Sequence, residues 1–456
     1  MTYVINKKLN ERPILLSGGD GVWLQDAAGN KILDTCGGVA VSSLGHCHPK
    51  MIQAMKEHAH MLSWAHAGSF TTHAAEALGE FLVERSGGLG KIQFLSGGSE
   101  AVEVAMKAAY QYHCENGQPS RTQFISRRQS YHGSTFGALA LSGNLERQSI
   151  FTPLLSQTEF VSPCYAYRDQ RADESDEQYV HRLAHELESR IQSIGAENVA
   201  AFIAEPVVGS TNGAVPAVKG YLRAMKAVCE RHGVLLMLDD VMSGMGRTGY
   251  LFAHLEDDVQ PDIVVIGKGL AAGYQPISAY LLSDTIHDVL AQGSGILRNG
   301  QTHVNHPFAC QIALSAQQIL EEEDLLANVR DRGVQMRQLF QDALSDFEYL
   351  GDIRGRGLFT GLEFVGDRQE QSPLNGGAEF VSVLKQTAFE MNLLIYPGSG
   401  TVDGVHGNHL LFAPPFIASS QDIETMVGKV AHLFNRLRPN FAAWAESFNE
   451  TGSVKS

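Results

Sequence analysis

The segment Val234-Leu235-Leu236-Met237-Leu238-Asp239-Asp240 decides the fold. An apolar run of this length, opened by Gly233 and closed by two acids, reads as a strand buried on both faces, the pattern of a parallel sheet. Upstream, the run Val199–Ala204 ends in Glu205-Pro206, and a helix over 219–232 separates the two. Downstream, Pro261-Asp262-Ile263-Val264-Val265-Ile266-Gly267-Lys268-Gly269-Leu270 is a third buried strand that ends at its glycine. This alternation implies a parallel sheet with right-handed crossovers. In such sheets ligands sit outside the carboxyl ends of the strands, and Glu205, Asp239 and Lys268 each stand at such an end.

Lys268 lies between two glycines, so another molecule can approach it closely, and partial desolvation would lower its pKa toward that of a usable amine. Taken alone, it also reads as a snorkelling lysine leaving a sheet edge. Three ionisable groups at three strand ends carry more weight, because each follows an apolar run and an unpaired charge there is costly.

Composition bounds the function. The 456 residues allow two domains with a large core, or one large domain with a smaller appendage. With 44 % apolar and 19 % charged residues and no long uninterrupted apolar stretch, a soluble protein without a membrane span is expected. The start, from Met1 to Lys8, lacks a signal-peptide pattern, which places the protein in the cytoplasm. A formal charge of -15 argues against nucleic acid as a partner. The six cysteines are scattered as reduced thiols would be, and His46-Cys47-His48 lacks the convergence and the fourth ligand of a metal site.

Around the central run, Gly21 to Asp34 reads as a β-hairpin turning at Gly29-Asn30. Cys36-Gly37-Gly38-Val39-Ala40 leaves room either for a ligand or for close packing. Residues 49–86 read as mostly helical. Ile92-Gln93-Phe94-Leu95 then runs as a strand into Ser96-Gly97-Gly98-Ser99-Glu100 and an alanine-rich helix. Free backbone N–H groups and the helix dipole converge there, which suits a phosphate, although a glycine turn capped by Ser99 is also an ordinary helix start. After a strand at 124–126, Tyr131-His132-Gly133 offers either an aromatic face in a loop or a buried tyrosine corner. Ser175 to Gln178 forms a capping box that opens a helix ended by Gly195.

Taken in order, Phe94 to Glu103, Tyr131-His132-Gly133, Ile203-Ala204-Glu205-Pro206, Leu238 to Gly249 and Gly267-Lys268-Gly269-Leu270 resemble the class III, or ω-, aminotransferases that use pyridoxal 5'-phosphate. The likeness extends from the Gly45-His46 loop to Phe412-Ala413-Pro414-Pro415. It implies fold type I: an α/β large domain with a mostly parallel, seven-stranded-type sheet, over 50–309, plus a smaller α+β domain, over 310–456, with residues 1–49 packing against the latter. By position it implies that Lys268 is the Schiff-base lysine and the base for the α-proton, and that Asp239 pairs with the pyridinium nitrogen. Gly98 and Ser99 would hold the phosphate, Tyr131 and Val241 would flank the ring, and Glu205 would complete the cofactor site. Thr302 would reach the phosphate of a neighbouring subunit, which implies a homodimer with shared active sites, or a tetramer.

Two departures stand out. Asp240 replaces the usual glutamate, a change the cofactor is expected to survive because Asp239 carries the electronic role. Leu411 stands where many relatives carry the arginine that pairs with Glu205 and binds the α-carboxylate of glutamate, and 398–415 contains no arginine. Together with Val39 and Phe70 at pocket positions of amine-accepting relatives, this implies an ω-amine or ω-amino acid donor and pyruvate as acceptor, through a pyridoxamine intermediate. A decarboxylase, racemase or aminomutase would use the same lysine and aspartate, and a catalytically silent homologue is the remaining reading. Beyond Ala309, a helix through Leu326 to Leu344, a strand pair around 357–364 and a last helix through Ile423 to Leu437 are expected, with Glu321 to Asp324 as a solvated helix face and a fraying tail from Glu446.

Overall fold

The computed structural model describes residues 3–451, with side chains as far as Glu446. The hairpin pairs Trp23–Asp26 with Lys31–Asp34. Its turn closes because Gly29 takes φ +88° and Asp26 Oδ1 accepts from the N–H groups of Ala28 and Asn30 at 2.9 and 2.8 Å. The stretch 49–86, expected to be mostly helical, is two helices, Pro49–His58 and His73–Glu84. Between them the polar side chains satisfy local partners instead of favouring helix: Thr71 Oγ1 donates to Glu76 at 2.5 Å, and Thr72 caps the second helix.

Seven strands form the central sheet: β1 (Lys91–Leu95), β2 (Gln123–Arg127), β3 (Glu159–Val161), β4 (Val199–Ala204), β5 (Leu235–Asp239), β6 (Ile263–Ile266) and β7 (Ser278–Leu282). Their spatial order is β1-β7-β6-β5-β4-β2-β3. Only β7 is antiparallel to its neighbours. Nothing in Ser278-Ala279-Tyr280-Leu281-Leu282 announces a strand, since it has no β-branched residue, and the three-residue β3 is too short to show a period. All four side chains of β6 and all six of β4 are withdrawn from solvent, and each buried Val or Ile there contributes about 1.5–3 kcal/mol. The Gly98–Glu115 helix crosses one face on Ala101, Ala105, Ala108 and Ala109, whose small side chains allow a close approach.

A second core lies beside this sheet. Strands Leu350–Arg356, Phe359–Asp367, Asn408–Phe412 and Tyr396–Ser399 pair antiparallel. Helices Leu325–Ala343 and Ser420–Thr451 cover them. Phe347, Phe364, Phe434 and Phe441 meet there edge to face and stacked, with centroids such as Phe364–Phe434 at 5.2 Å. Lys31–Asp34 pairs in parallel with Leu393–Leu394, and Val22 and Leu33 join this core. Helix Pro307–Glu322 escapes the sequence reading because it is buried nearly all round, which erases the amphipathic period.

Glu321 to Asp324 is not simply a solvated face. Glu321 pairs with Arg85 at 2.7 Å, and Glu322 and Glu323 pair with Lys50 at 2.9 and 3.0 Å. The last helix continues past Glu446 to Thr451, and residues 452–456 lie outside the described residues. Among the described residues no helix is long and apolar enough to cross a membrane, and no group of His, Cys, Asp and Glu could hold a metal ion.

Candidate active site

Parallel register brings the three strand ends to one edge. Leu238 lies beside Ala204, and Asp239 beside Val265. Glu205, Asp239 and the Gly267-Lys268 turn therefore follow one another across neighbouring strands. Lys268 has φ +43°, in the left-handed region that costs a side-chain-bearing residue about 1–2 kcal/mol. The turn is locked by Leu270 N–H donating to Gly267 O at 2.9 Å, and by Gln317 Nε2 donating to the carbonyls of Gly269 and Leu270 at 3.1 and 2.8 Å. The Lys268 amine has no hydrogen-bond partner among the described residues.

These groups line a cavity of about 180 Å³ together with Gly98, Ser99, Tyr131 and Val241. Val241 packs so closely that a Cβ on Gly98 would lie 3.1 Å from it. Ser99 is not the cap of its helix. The cap position is Gly97, Glu100 Oε2 accepts from Ser96 N–H at 2.9 Å, and Ser99 Oγ accepts from Ser134 N–H at 3.0 Å. Gly133 makes that contact possible: it has φ +150°, and a Cβ there would lie 2.7 Å from Ser99 Oγ.

Asp239 Oδ2 lies 2.8 Å from His132 Nδ1, and Oδ1 accepts from Val241 N–H at 3.1 Å. His132 is fully enclosed, its Nε2 facing Ser126 Oγ at 3.3 Å and its N–H donating to Ser142 Oγ at 2.8 Å. Glu205 accepts from the N–H groups of Tyr131 and Gly209 at 3.1 and 3.0 Å, so its carboxyl sets the height of the Tyr131 ring. Burial pushes the Glu205 carboxyl up, and the nearby Asp239 charge adds to this against His132 and Arg127. Burial pulls the Lys268 amine down, against the opposing pull of Asp239 and Glu205, while the Arg147 cation lowers it further.

Asp240 is withdrawn from solvent and takes no place in the cavity. It accepts from Ser243 Oγ at 2.6 Å and Ala253 N–H at 2.7 Å, which ties down the loop after β5, and burial pushes it up to about 7. Leu411 is buried in an apolar cluster with Val207, Phe359 and Ala413. Val39, beside the left-handed Gly38, is 45 % exposed, and Phe70 is 68 % exposed on the 59–72 loop. Thr302 is also exposed, its carbonyl accepting from Trp64 Nε1 at 2.6 Å. Within one chain these three do not join the cavity. His132, Ser210 and Met242 do line it without having been singled out; for His132 the available signal was its position in the Tyr131-His132-Gly133 group.

The family model "Aminotransferase class-III" matches residues 4–434. This chain belongs to the class III aminotransferases. An aminotransferase of Gibberella zeae is 40 % identical over 408 residues, covering 88 % of this chain and 80 % of the relative. An uncharacterized aminotransferase of Schizosaccharomyces pombe is 38 % identical, covering 93 % of each. Among solved structures, the ω-transaminase from Pseudomonas jessenii in complex with PMP superposes with a TM-score of 0.86 at 30 % identity, over 95 % of this chain and 94 % of that one. The fold is therefore fold type I, and the protein is an enzyme of this family. Class III aminotransferases depend on pyridoxal phosphate, and the donor set of this class III chain fits that group: first-turn N–H groups of an 18-residue helix for an anion, an amine without a partner, a buried carboxylate, and Tyr131 and Val241 as apolar walls.

Proposed function

We propose that this enzyme moves an amino group from an ω-amine or ω-amino acid to a keto acid, pyruvate, in two half-reactions at the Lys268 cavity. The observation that carries the proposal is the convergence of the Lys268 amine, the Asp239 carboxylate and the Gly98 helix end on one cavity. Gly98 and Ser99 would hold the phosphate through backbone N–H groups, and Tyr131 and Val241 would flank the ring. Glu205 fixes Tyr131 through its amide. Asp239, oriented by His132, would keep a proton on the ring nitrogen. When bound, pyridoxal phosphate supplies the electron sink that stabilises the carbanion left at the donor carbon. Lys268, whose neutral form is favoured by burial, would take that carbon's proton and pass it on to the cofactor side within the same half-reaction, and would move a proton in the opposite direction, onto the keto acid carbon, in the second.

Thr302 and Phe70, exposed on neighbouring segments, are assigned to the active site of a partner subunit in a homodimer, or in a tetramer of such dimers. The enzyme works in the cytoplasm. Leu411 removes the arginine route to 2-oxoglutarate, which supports pyruvate as acceptor.

The test is a single-turnover experiment. Purified protein loaded with pyridoxal phosphate is mixed with a panel of ω-amines and no acceptor while the cofactor absorbance is followed. The expected result is a spectral change that pyruvate reverses. No response to any amine, or product formed without a keto acid, overturns the proposal. Sedimentation measures the assembly directly.

A further inference from the structure

We infer that Arg147 binds the carboxylate of the keto acid substrate, in the role left open by Leu411. This rests on the transaminase reading above and names how that site holds its acceptor.

The cations near the cavity can be sorted by what they already hold. Arg127 is fully buried, and its Nη2 donates to the Glu205 carbonyl at 2.6 Å, behind the cavity wall. Arg354 is committed to Glu363 and Asp352 and to the carbonyls of Asn212 and Gly213. Arg247 donates to the carbonyls of Leu358 and Pro414. Arg147 is different. Its guanidinium has no carboxylate partner and no hydrogen-bond acceptor among the described residues.

What positions Arg147 is the ring of Tyr131, a wall of the cavity, with the guanidinium carbon 4.4 Å from the ring centroid. Asn144 caps the short turn Leu145–Gln148 by accepting from Arg147 N–H at 3.1 Å, and Gln148 Nε2 donates to the carbonyls of Leu139 and Ser142 at 2.9 and 2.6 Å. The turn that carries Arg147 is thus fixed at both ends. From the other side, the loop after Tyr396–Ser399 approaches it, Gly404 lying against Leu145.

The charge of Arg147 acts on Lys268, on Tyr396 and on His409. Tyr396 pairs with Leu411 across neighbouring strands and His409 lies on the same strand as Leu411, so Arg147 stands near the position where the arginine is missing as well as beside Tyr131, which lines the cavity. A stacked guanidinium keeps its N–H edge free, and that planar fork matches a carboxylate with two parallel hydrogen bonds. The carboxylate of a 2-oxo acid lies one bond from the carbon that must meet Lys268, so a cation held against Tyr131, a wall of the same cavity, would hold the acceptor with its carbonyl toward Lys268. An amine donor without a carboxylate makes no use of this cation, which separates the two substrate classes.

The experiment compares the wild-type holoenzyme with Arg147→Met, which keeps a stem over Tyr131, and Arg147→Lys, which keeps the charge without the fork. Three quantities are read: the KM for pyruvate in the second half-reaction, the rate with benzylamine in the first, and the Kd of propionate, a non-reacting carboxylate, by calorimetry. For Arg147→Met the KM for pyruvate and the Kd of propionate are expected to rise about 10- to 100-fold, the worth of a charge-assisted pair, with Arg147→Lys in between. The ratio of pyruvate to benzylamine reactivity falls by the same factor. Unchanged KM and Kd in Arg147→Met overturn the inference, and so does an equal loss with benzylamine, which would mark a structural role. If wild-type enzyme fails to react with any amine, the transaminase reading fails, and the propionate titration still reads on Arg147.

Discussion

Glu363 and Asp239 are both carboxylates almost without solvent exposure, at 0 % and 5 %, yet their surroundings are opposite. Glu363 is saturated: Arg354 Nη1 and Arg168 Nε each donate to it at 2.6 Å, and the Tyr165 hydroxyl donates as well. Arg354 in turn fastens the Asn212-Gly213 loop of the large-sheet side to the second core. Asp239 has His132 and one backbone N–H, and then faces a cavity with Lys268. Similar residue types therefore give a rivet in one place and the proposed reaction site in the other. The difference lies in whether the protein completes the set of partners itself or leaves it for a ligand to complete.

Breaking each side in turn should separate stability from turnover. Lys268→Ala is expected to lower transamination by more than about 10⁴-fold, because the residue both carries and transfers the proton. It should leave the unfolding midpoint within a few degrees of wild type, since no hydrogen bond is lost; kinetics, borohydride trapping of the cofactor and thermal unfolding check this together. Glu363→Gln should do the reverse. Leaving Arg354 and Arg168 without their counter-charge is expected to cost about 3–5 kcal/mol in denaturant unfolding, with little change in kcat per folded enzyme.

His132→Gln sharpens the comparison on the site side. Loss of a hydrogen bond to the Asp239 carboxylate, worth about 1.5–3 kcal/mol, should lower kcat about 10- to 100-fold with KM nearly unchanged. It should also shift the pH at which the bound cofactor's absorbance titrates, a readout that a purely structural role would not move.

The effect with no bearing on turnover concerns Asp240. Burial pushes its pKa from 3.8 up to about 7, so the folded state holds a proton that the unfolded chain has released across that interval. Its contribution therefore falls as pH rises from about 4 to about 7 and levels off above. In Asp240→Asn that part of the slope should vanish, so that the stability difference between wild type and variant changes with pH below about 7 and stays flat above it. Thermal unfolding from pH 5 to pH 8 measures it.

Much of the site was legible along the chain because it is built from strand ends. An apolar run followed by an ionisable residue is visible in Glu205, Asp239 and Lys268, and parallel order then brings them together. The elements that escaped notice lack a period: the buried-all-round Pro307–Glu322 helix, the antiparallel β7 without β-branched residues, and the three-residue β3. His132 and Arg147 escaped for another reason. Each gains its meaning from a partner far along the chain or across a turn, Asp239 for the first and the Tyr131 ring for the second.

The sequence by itself determined the alternating architecture, the family and the place of a lysine at the end of a buried strand, because hydrophobic period and residue order are local properties. Only the tertiary structure decided that Asp240 ties a loop and takes no place in the cavity, that Leu411 lies in an apolar cluster, and that one arginine beside the cavity keeps its charge unpaired. Those outcomes depend on which buried groups satisfy one another, and pairing across the fold is a property of distances that no stretch of chain contains.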